Sequence, residues 1–476
     1  MRKRTTRRDF IKASGAAIAA GAVAAGPVFA QAAAGPTRTL IKGGTVLSFD
    51  RAVGDFDRAD VLIEGRKIVA VRPNIQAEGA AVIDATRTIV VPGFIDTHHH
   101  FYQSALRNVL SNGVLSDYFR DISGAATAQY RVEDAYVGDY IGALRSIDAG
   151  VTCITDISQV SNTPEHSDAM IKALKDSKIR ALYAYSRGSG PGAKFPQDVE
   201  RIAKQHFSSK DQLVTLAMGT AVNKDQWAAA RKVGARIFTH IVGGNPGVGP
   251  GDLMKLGDEG LMKDDNVYIH FTNGTNEQMK RVKDTGGWLT LAVPIEMAMR
   301  HGMPPIQQAL DAGIRPSLSS DVETTMAADM FTQMRATFTL QRALINERSI
   351  KGEKDLPPLL TAKDVIEFAT LQGARANGIE SKVGTLTPGK EADIVILRAD
   401  LTNTLPLNSA YGAIVTAMDT SNVDTVLIAG RVVKRKGKLV GVNMASVRKR
   451  ATASRDYLVG KLGWPKSVID TSLSGH

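Results

Sequence analysis

Apolar runs alternate with amphipathic stretches through the middle of the chain. Short β-branched runs predict buried strands, because parallel strands covered on both faces are apolar throughout. The predicted strands cover 89–97, 151–157, 179–186, 213–219, 235–241, 266–271, 288–293 and 315–320. Apolar residues at helical spacing between them predict helices that include 133–149, 167–176, 276–285 and, after an N-cap at Thr361, 365–376. Eight strands with intervening helices predict an α/β fold, the (β/α)8 TIM barrel.

Shorter strands punctuated by glycine and charged turns lie on either side of this region. They cover 39–47, 60–71 and 81–84 before the barrel, and 392–397 and 425–433 after it. The two sets predict a small composite β-sandwich domain built from both ends of the chain. The predicted divisions are a signal segment (1–32), the N-terminal half of the β-sandwich (37–90), the barrel (91–382), the C-terminal half of the β-sandwich (383–440) and a C-terminal helix and tail (441–476).

The first 32 residues have the pattern of a targeting signal. Arg7 and Arg8 precede an Ala/Gly-rich run over 13–26 and small residues suited to cleavage over 28–32. This pattern resembles the twin-arginine (Tat) export signal of bacteria, so it predicts the Tat machinery as a partner and a periplasmic location. The run is too short and too rich in glycine and alanine to predict a stable membrane span, and an uncleaved anchor is the alternative.

Composition and charge narrow the class of protein. With 43% hydrophobic and 22% charged residues, the chain is expected to be globular. The net charge is +11, and six basic residues against one acidic residue fall in 1–32. No aromatic residues interleave the remaining basic clusters, which argues against nucleic-acid binding. Cys153 is the single cysteine, which rules out an intramolecular disulfide, and its apolar surroundings predict core packing.

Three consecutive histidines follow the first predicted barrel strand. Because side chains alternate along a strand, His98 and His100 are expected to project to one side and His99 to the other. Two imidazoles at the end of a parallel strand form half of a divalent-metal site. The alternative is a polar surface turn that is rich in histidine.

Other metal-ligating residues occur where later predicted strands end. His240 ends the fifth strand, His270 the sixth, and Asp321 follows the eighth. Any one of these alone is typical of an ordinary core or loop residue. Because the carboxyl ends of barrel strands meet at one rim, the set together with the first histidine pair predicts a metal centre there.

The chain resembles the amidohydrolase superfamily, in particular the cytosine deaminase and triazine hydrolase group. The resemblance spans nearly all of the sequence after the signal. It is carried by Pro-Gly-Phe-Ile-Asp-Thr-His-His-His (92–100), Ala-Gly-Val-Thr (149–152), Leu-Gln-Gly-Ala-Arg (371–375) and Val-Gly-Thr-Leu-Thr-Pro-Gly-Lys-Glu-Ala-Asp-Ile-Val (383–395). It implies a metal-dependent hydrolase with a barrel of this type.

The resemblance also implies roles for the rim residues. It implies that His98, His100, His240 and Asp321 bind one Zn²⁺ or Fe²⁺, with zinc preferred, and that His270 hydrogen-bonds the attacking water or the substrate. A divalent ion lowers the pKa of its water from about 16 to about 7, and Asp321 is placed to take the proton. Binuclear relatives have a lysine on strand four, and 213–219 contains none, so one metal is predicted.

One departure from the family pattern concerns the acid that protonates a leaving nitrogen. Deaminases of this group carry a glutamate three residues after the strand-five histidine, where this chain has Gly243. Either another carboxylate replaces that glutamate or the leaving group needs little protonation. Glu296 is the first candidate for a catalytic replacement and Glu323 the second. The alternative for both is an ordinary carboxylate of a loop or helix start.

Further residues near the predicted rim have two interpretations each. Gln103 and Arg107 are expected to contact the substrate. For Arg107, the alternative is a pairing with a surface carboxylate. His301 lines the substrate pocket or caps a helix. His99 is expected behind the metal, and the glycine-rich loop 243–251 is expected to form a mobile lid. The remaining histidines are expected on the surface: His166, His206 and His476.

These features together predict an exported hydrolase that attacks a C–N bond of a nitrogenous, heterocyclic small molecule. Two alternatives stay open. The first is hydrolysis of a cyclic or linear amide without deamination, and the second is a non-catalytic periplasmic binding protein on the same barrel. A homo-oligomer is a further possibility that the sequence does not decide.

Overall fold

The computed structural model of the protein describes residues 38–244, 249–469 and 473. The predicted signal (1–32), the middle of the glycine-rich loop and most of the C-terminal tail, including His476, lie outside the described residues. Among the residues that are described, no helix combines the length and the apolar character needed to cross a membrane.

Strands from both ends of the chain form one mixed sheet, called here the β module. Its strands are β1 Arg38–Val46, β2 Phe56–Glu64, β3 Lys67–Arg72, β4 Ala81–Asp84, β5 Thr88–Pro92, β14 Ile394–Arg398, β15 Val423–Ile428, β16 Arg431–Arg435 and β17 Lys438–Leu439. Antiparallel pairing of β14 with β5 joins the two halves, with Val395 opposite Val91. The prediction of a β domain built from both ends is confirmed.

The middle of the chain forms a barrel of eight parallel strands. They are β6 Phe94–His99, β7 Val151–Ser158, β8 Arg180–Tyr185, β9 Val214–Thr220, β10 Arg236–Val242, β11 Asn266–Thr272, β12 Trp288–Leu291 and β13 Ser317–Leu318. Each strand pairs with its neighbour in the order of the sequence. The predicted (β/α)8 TIM barrel is confirmed.

Helices connect the strands and cover the barrel. The α-helices are α1 Leu115–Asp117, α2 Val132–Asp148, α3 Pro164–Ser177, α4 Val199–His206, α5 Lys224–Lys232, α6 Leu253–Asp258, α7 Asn276–Asp284, α8 Val293–Ala298, α9 Ile306–Asp311, α10 Met330–Ile350, α11 Ala362–Glu367, α12 Gly373–Ala376, α13 Ala410–Gly412 and α14 Met444–Leu462. The 3₁₀ turns are Phe101–Leu106, Thr127–Gln129 and Thr420–Asn422, and the π-helical segments are Tyr118–Ala126, Phe368–Gln372 and Ala413–Ala417. The predicted N-cap is present, since Thr361 Oγ1 accepts a hydrogen bond from the backbone of Asp364.

The predicted first barrel strand, 89–97, is in fact two strands in two different sheets. Its first half is β5 of the β module and its second half is β6 of the barrel, with Gly93 between them. A Cβ atom at Gly93 would lie 2.0 Å from Thr152 Oγ1, so a side chain there would collide with β7. A continuous apolar run hides this change of sheet because both strands are buried.

The barrel closes where the predicted metal ligands are. Residues His99 and Asp321 form a parallel bridge between the ends of the first and eighth strands. The amide of Asp321 donates to the carbonyl of His98 at 3.0 Å, and the amide of His100 donates to the carbonyl of Asp321 at 2.9 Å. The backbone that completes the barrel therefore fixes the positions of these side chains as well.

Candidate metal centre

The end of β6 presents two imidazoles to the barrel mouth. A bulge interrupts the strand here, since Asp96 pairs with Ile154 but His99 with Asp156, so β6 uses one residue more than β7. The Nε2 atoms of His98 and His100 lie 3.1 Å apart. His100 Nδ1 lies 3.0 Å from the carbonyl oxygen of Ile157, and this contact orients the ring with Nε2 toward the site.

Strand β10 and the residue that follows β13 complete a set of four donors. His240 Nε2 lies 3.1 Å from His98 Nε2. Asp321 Oδ1 lies 3.5 Å from His98 Nε2 and 3.6 Å from His100 Nε2. Three imidazole nitrogens and one carboxylate oxygen thus converge from three separate strands. These are the ligand types of zinc and non-haem iron sites.

The protonation of these groups fits a cation. Burial, reinforced by neighbouring imidazoles, holds the pKa of His98 and His240 well below the ordinary value. Burial lowers the pKa of His100 to about 3. All three rings are therefore neutral near pH 7 and present lone pairs to one another at hydrogen-bond distance. A divalent ion among them satisfies those lone pairs, so the residues fit the metal that the family implies.

Two site residues adopt backbone conformations that L-residues rarely take. His270 has φ 67° and Asp321 has φ 60°. A non-glycine residue in the left-handed region costs of order 1–3 kcal/mol and persists where the surrounding structure imposes it. Such residues cluster at functional sites, which supports a functional role for this rim.

His270 connects the four donors to the buried Glu296. Its Nε2 lies 3.6 Å from Asp321 Oδ2, and its Nδ1 lies 3.1 Å from Glu296 Oε1. The same Oε1 accepts the amide of Ala292 at 2.8 Å, so the carboxylate is held from two sides. Burial alone would lower the pKa of His270, but the hydrogen bond to Glu296 and the charge of Asp321 raise it above its ordinary value.

The carboxylate of Asp321 is buried beside the imidazoles. Burial alone raises its pKa to about 6. A divalent ion held by this carboxylate would favour the ionised form and lower the pKa again.

A cavity of about 510 Å³, counted to its open mouth, lies in front of these groups. Its walls are mainly apolar and aromatic, with one exposed cation and a few polar groups. The described residues that line it are His100, Leu115, Tyr118, Phe119, Ser123, Gln159, Arg187, His240, Val242, Met299, His270, His301, Asp321 and Val322. An apolar wall with a few polar groups is typical of sites that bind small organic molecules.

The structure places the predicted substrate residues differently from one another. His301 lines the cavity, is buried, and has a pKa lowered by burial to about 2. Gln103 is buried beneath the wall, where its amide donates to Tyr102 Oη at 2.9 Å and to Tyr118 Oη at 2.6 Å. It therefore supports a lining residue and lies outside the cavity wall itself.

Arg107 and Glu323 form a salt bridge with each other. Arg107 Nε donates to Glu323 Oε1 at 2.8 Å, and neither residue is among those that line the cavity. The alternative interpretation of Arg107, a pairing with a carboxylate, describes its position, although the partner is buried. Glu323 is accordingly poorly placed to replace the missing acid, because its charge is already paired.

Glu296 also lies outside the described lining of the cavity, behind His270. The structure brings its carboxylate into contact with His270, whose ring faces the cavity. The catalytic or substrate-orienting role of Glu296 stays a prediction.

The remaining histidines fall into two groups. His99 lies behind the metal site as predicted, with Nδ1 2.7 Å from Ser320 Oγ and 3.4 Å from Asp96 Oδ2. The prediction of a surface position is wrong for His166, which is buried and contacts Thr163 Oγ1 and the carbonyl of Tyr130. Its helix α3 packs against α2.

The polar lining residues that were not predicted from the sequence are Tyr118, Ser123, Gln159 and Arg187. Gln159 directly follows β7, and Arg187 lies two residues beyond β8. Both therefore occupy the strand-end position that identified the histidines, so the same rule applied to every polar residue would have found them. Tyr118 lies in a π-helical segment after β6, for which the sequence carries no comparable signal.

Comparisons with known proteins agree with this architecture. The model of the amidohydrolase family matches residues 89–433. The 5-methylthioadenosine/S-adenosylhomocysteine deaminase of Symbiobacterium thermophilum is 26% identical over 423 residues, covering 83% of this chain and 93% of that protein. The 5'-deoxyadenosine deaminase of Methanothermobacter thermautotrophicus is 25% identical over 444 residues, covering 88% and 99%.

Solved structures share the fold. A zinc-bound adenosine deaminase from Xanthomonas campestris superimposes with a TM-score of 0.78 at 21% identity, covering 89% of this chain and 98% of that one. The atrazine chlorohydrolase TrzN from Arthrobacter aurescens, in complex with zinc, gives a TM-score of 0.78 at 21% identity, covering 88% and 100%.

The family match includes every strand of the barrel and strands from both halves of the β module. It confirms the predicted resemblance and, at the level of the family, the prediction of a metal-dependent hydrolase of C–N bonds. On the strength of this match and of the donors assembled at the rim, the chain belongs to the amidohydrolase family.

Proposed function

We propose that this protein hydrolyses a C–N bond of a nitrogenous heterocyclic small molecule, with one zinc ion held by His98, His100, His240 and Asp321. The observation that carries the proposal is the convergence of three neutral imidazoles and one carboxylate at the mouth of an apolar cavity. Zinc rather than iron is proposed because a structural neighbour holds it. The bound ion supplies Lewis-acid chemistry, which ionises water near neutral pH.

Asp321 and His270 carry the proton steps in this proposal. Oδ2 of Asp321 accepts the proton of the attacking water, because this oxygen points away from His98 and toward His270. Nε2 of His270 then donates a hydrogen bond to the atom that gains charge as the carbon becomes tetrahedral, which is a ring nitrogen when water adds to a C=N bond and an oxygen when it adds to an amide carbonyl. The proton held on Oδ2 passes to the leaving nitrogen, and the C–N bond breaks.

This route accounts for the missing glutamate after His240. Among the residues described around the cavity, Asp321 is the one carboxylate, so a second carboxyl group that could protonate the leaving nitrogen is lacking there. Asp321 therefore both takes and returns the proton, on the carboxylate oxygen that faces His270.

Glu296 acts as a positioning residue in the same proposal. It holds Nδ1 of His270 and thereby directs Nε2 toward the reacting centre. Removing its charge in Glu296→Gln is expected to lower kcat roughly 10- to 100-fold with a smaller change in KM, since outer contacts of this kind typically contribute that much. Glu323→Gln is the matched control, because it changes a buried carboxylate near the rim that is paired with Arg107. Unchanged kcat in Glu296→Gln would refute the positioning role.

The walls of the cavity indicate the class of substrate. Tyr118, Phe119, Met299 and Val322 offer apolar and aromatic surface, and Arg187 offers an exposed positive charge beside His240. A flat heteroaromatic ring that carries an electron-rich or anionic substituent matches these groups. A cationic substrate would be repelled by Arg187. Among the described lining residues, Asp321 is the one carboxylate that could offset this repulsion.

Hydrolysis of a cyclic or linear amide without deamination is the second candidate function. The observation that favours it is Gly243, which stands where the deaminases of this group carry a glutamate. A panel of amino-heteroaromatics and lactams separates the two: ammonia release identifies deamination, and ring opening or amine release identifies amide hydrolysis.

The metal requirement tests the proposal as a whole. The purified protein is expected to contain about one equivalent of zinc and to lose turnover by roughly 10³-fold when the metal is removed, since the ion contributes several kcal/mol to the transition state. Turnover that survives complete removal of metal would overturn the proposal, and zinc-loaded protein that binds the same molecules without turnover would identify a binding protein.

The last part of the proposal concerns the location of the protein in the cell. We infer a periplasmic location from the twin arginines Arg7 and Arg8 and the apolar segment that follows. Replacing both arginines by lysine is expected to leave the protein in the cytoplasm, which fractionation of cells measures.

A further inference from the structure

His301 is the residue that the proposed proton steps leave unexplained. It lines the cavity and is buried, yet neither of its ring nitrogens has a hydrogen-bond partner among the described residues. Buried polar atoms are nearly always partnered, so an imidazole with two unpartnered nitrogens indicates a partner from outside the chain. Because the residue forms part of the cavity wall, the molecule that enters the cavity is in a position to supply that partner.

One ring nitrogen of His301 lies close to the two groups that carry the proton steps. It falls within 4.8 Å of a ring nitrogen of His270 and of a carboxylate oxygen of Asp321. Two hydrogen bonds of about 3 Å that meet at one tetrahedral nitrogen have their far ends about 5 Å apart. A single nitrogen atom of a substrate can therefore bond to Asp321 and to His301 at the same time.

The chemistry of the ring suits a nitrogen that still carries hydrogen. Burial lowers the pKa of His301 to about 2, so the ring is neutral near pH 7. A neutral imidazole has one nitrogen that donates a hydrogen bond and one that accepts. A leaving amino group has N–H bonds of its own when the proton from Asp321 reaches it, so it can donate to the accepting nitrogen.

Backbone contacts hold His301 in this position. Its amide donates to the carbonyl of Glu296 at 3.0 Å, and its carbonyl accepts from Thr272 Oγ1 at 2.8 Å and from Asn273 Nδ2 at 3.3 Å. Gly302 follows with φ +125°, and a Cβ atom there would lie 2.6 Å from Asn273 Nδ2. The loop after α8 is therefore fixed to the end of β11.

The neighbouring strand end adds no functional group at this place. Gly243 follows β10, and a Cβ atom there would lie 2.8 Å from Asn273 Cβ and 3.0 Å from the carbonyl oxygen of Thr272. A side chain at this position would collide with the end of β11. The polar group beside Asp321 comes instead from the loop after α8, as His301.

We propose that the imidazole of His301 accepts a hydrogen bond from an N–H of the leaving nitrogen and holds that nitrogen against Asp321 while the C–N bond breaks. The inference rests on the proposed function, in which Asp321 returns the proton of the attacking water to this nitrogen. The electron pair of the breaking bond stays on the nitrogen, and the double bond at the carbon re-forms from the atom that gained charge. His301 itself neither gains nor loses a proton. The substrate class is therefore one whose leaving nitrogen bears hydrogen, in preference to compounds with an oxygen or halide leaving group.

A series of compounds that differ only in the leaving group tests this role. The ring is that of the amino-heteroaromatic that the wild type hydrolyses fastest, and it carries an amino, methylamino, methoxy or chloro group. In zinc-loaded His301→Phe, kcat/KM for the amino and methylamino compounds is expected to fall roughly 10- to 100-fold, the loss of one hydrogen bond to a group that gains charge. For the methoxy and chloro compounds the loss should be less than about threefold, because they have no N–H to donate.

Two further variants sharpen the comparison. His301→Gln places an amide oxygen near the same point and should recover part of the loss for the amino compounds. His206→Asn is the matched control, since His206 ends α4 and contacts Asp168 at 2.7 Å, outside the cavity lining. It should treat all four compounds as the wild type does. Zinc content should equal that of the wild type in every variant.

An equal loss for all four leaving groups in His301→Phe would overturn the role. It would mean that the ring only packs against that of His270, with which it makes a right angle at a centroid distance of 4.8 Å. An unchanged kcat/KM for the amino compound would overturn it as well. Failure of the proposed function is distinguishable, because it appears as turnover without metal or as binding without turnover in the wild type.

Two measurements cover the remaining cases. If the wild type hydrolyses the nitrogen-linked compounds alone, the heavy-nitrogen isotope effect on kcat/KM takes the place of the series. It should increase in His301→Phe, because C–N cleavage becomes the slower step, and an unchanged effect refutes the role. If His301→Phe does not fold, as judged by circular dichroism, His301→Asn is used instead. Its shorter side chain should give the same selective loss, and an unselective loss refutes the role.

Discussion

The two ends of the barrel both bury ionisable groups, but they satisfy them in opposite ways. At the base, Arg180 begins β8 and contacts Asp393 at 2.8 Å and Glu391 at 2.6 Å, joining the barrel to the β module. At the rim, imidazoles face other imidazoles at 3.1 Å, and ring nitrogens of His98 and His301 lack partners in the described residues. The base pairs opposite charges, whereas the rim gathers like groups.

This difference separates a structural role from a functional one. A buried ion pair whose hydrogen bonds are complete needs nothing from outside the chain. A buried group of lone pairs that face one another is satisfied only by something added, here a cation. Clusters of perturbed groups occur in both roles, and the identity of the missing partner tells them apart.

The largest loss of stability is expected from breaking the base. In Arg180→Met, Asp393 and Glu391 stay buried without their shared cation, which should lower the free energy of unfolding by about 3–5 kcal/mol. Denaturant unfolding followed by circular dichroism measures this loss. Zinc content should stay at one equivalent, because the rim lies at the other end of the strands.

A triple change that also replaces both carboxylates, Arg180→Met with Asp393→Asn and Glu391→Gln, should recover some of that stability. The recovery is expected because removing all the charges leaves none uncompensated. If the single and triple variants were equally unstable, packing rather than charge would explain the loss at the base.

Removing the metal is expected to be the next largest effect and to act on the rim alone. A ligand that binds only the folded state stabilises it by about 2.7 kcal/mol when its free concentration is 100 times its Kd. Chelation should therefore lower the free energy of unfolding by about this amount. The same decrement should appear in Arg180→Met, since distant sites contribute additively. A much larger decrement in that variant would mean that the two ends are coupled.

The fold could be predicted from the sequence because its elements repeat a simple pattern. Most of the barrel strands are largely apolar, and polar residues follow several of them at the rim, such as Gln159 after β7 and Asp321 after β13. What the pattern could not show was the change of sheet at Gly93, because burial on both sides makes β5 and β6 equally apolar. The boundary depends on contact with Thr152, which is distant in sequence.

The site was predictable where side chains are held by strands and unpredictable where loops hold them. His98, His100, His240 and Asp321 lie at or beside strand ends, whose direction the barrel determines. Glu296 lies on α8, and only the fold shows that it points behind His270 rather than into the cavity. The hydrogen bond between Arg107 and Glu323 joins residues far apart in sequence, so no local sequence pattern predicts it.

Lowering the pH should weaken the ion pairs at the base of the barrel before the whole fold is lost. Burial alone would raise the pKa of Glu391, but the guanidinium groups of Arg180 and Arg66 hold it below the ordinary value. A carboxyl group with a lowered pKa in the folded state stabilises the protein fully above its unfolded pKa and loses that contribution as the pH falls through the folded pKa.

The free energy of unfolding is therefore expected to fall as the pH drops below about 4.3, the ordinary pKa of glutamate. The part of this decrease that is due to Glu391 is the part that is absent in Glu391→Gln. It should be smaller than the decrease in unfolding free energy caused by Arg180→Met, because protonation leaves the Glu391 side chain and its packing in place. Equal pH dependence of the wild type and Glu391→Gln between pH 3 and 5 (about one unit either side of that pKa) would contradict this account.

The smallest effect is expected from Arg66, which contacts the same carboxylate from the solvent side. Arg66 is 41% exposed and lies 3.1 Å from Glu391, whereas Arg180 is 4% exposed. Because solvent screens an exposed charge, Arg66→Met should cost less than about 1 kcal/mol. Raising the salt concentration should reduce this cost further and leave that of Arg180→Met nearly unchanged. In the Arg180→Met background, however, Arg66 is the remaining cation beside Glu391, so its replacement should cost more there than in the wild type. Such a coupling, measured by a double-mutant cycle, would show that the buried position of Arg180, and not the number of charges, stabilises the buried carboxylates at the base of the barrel.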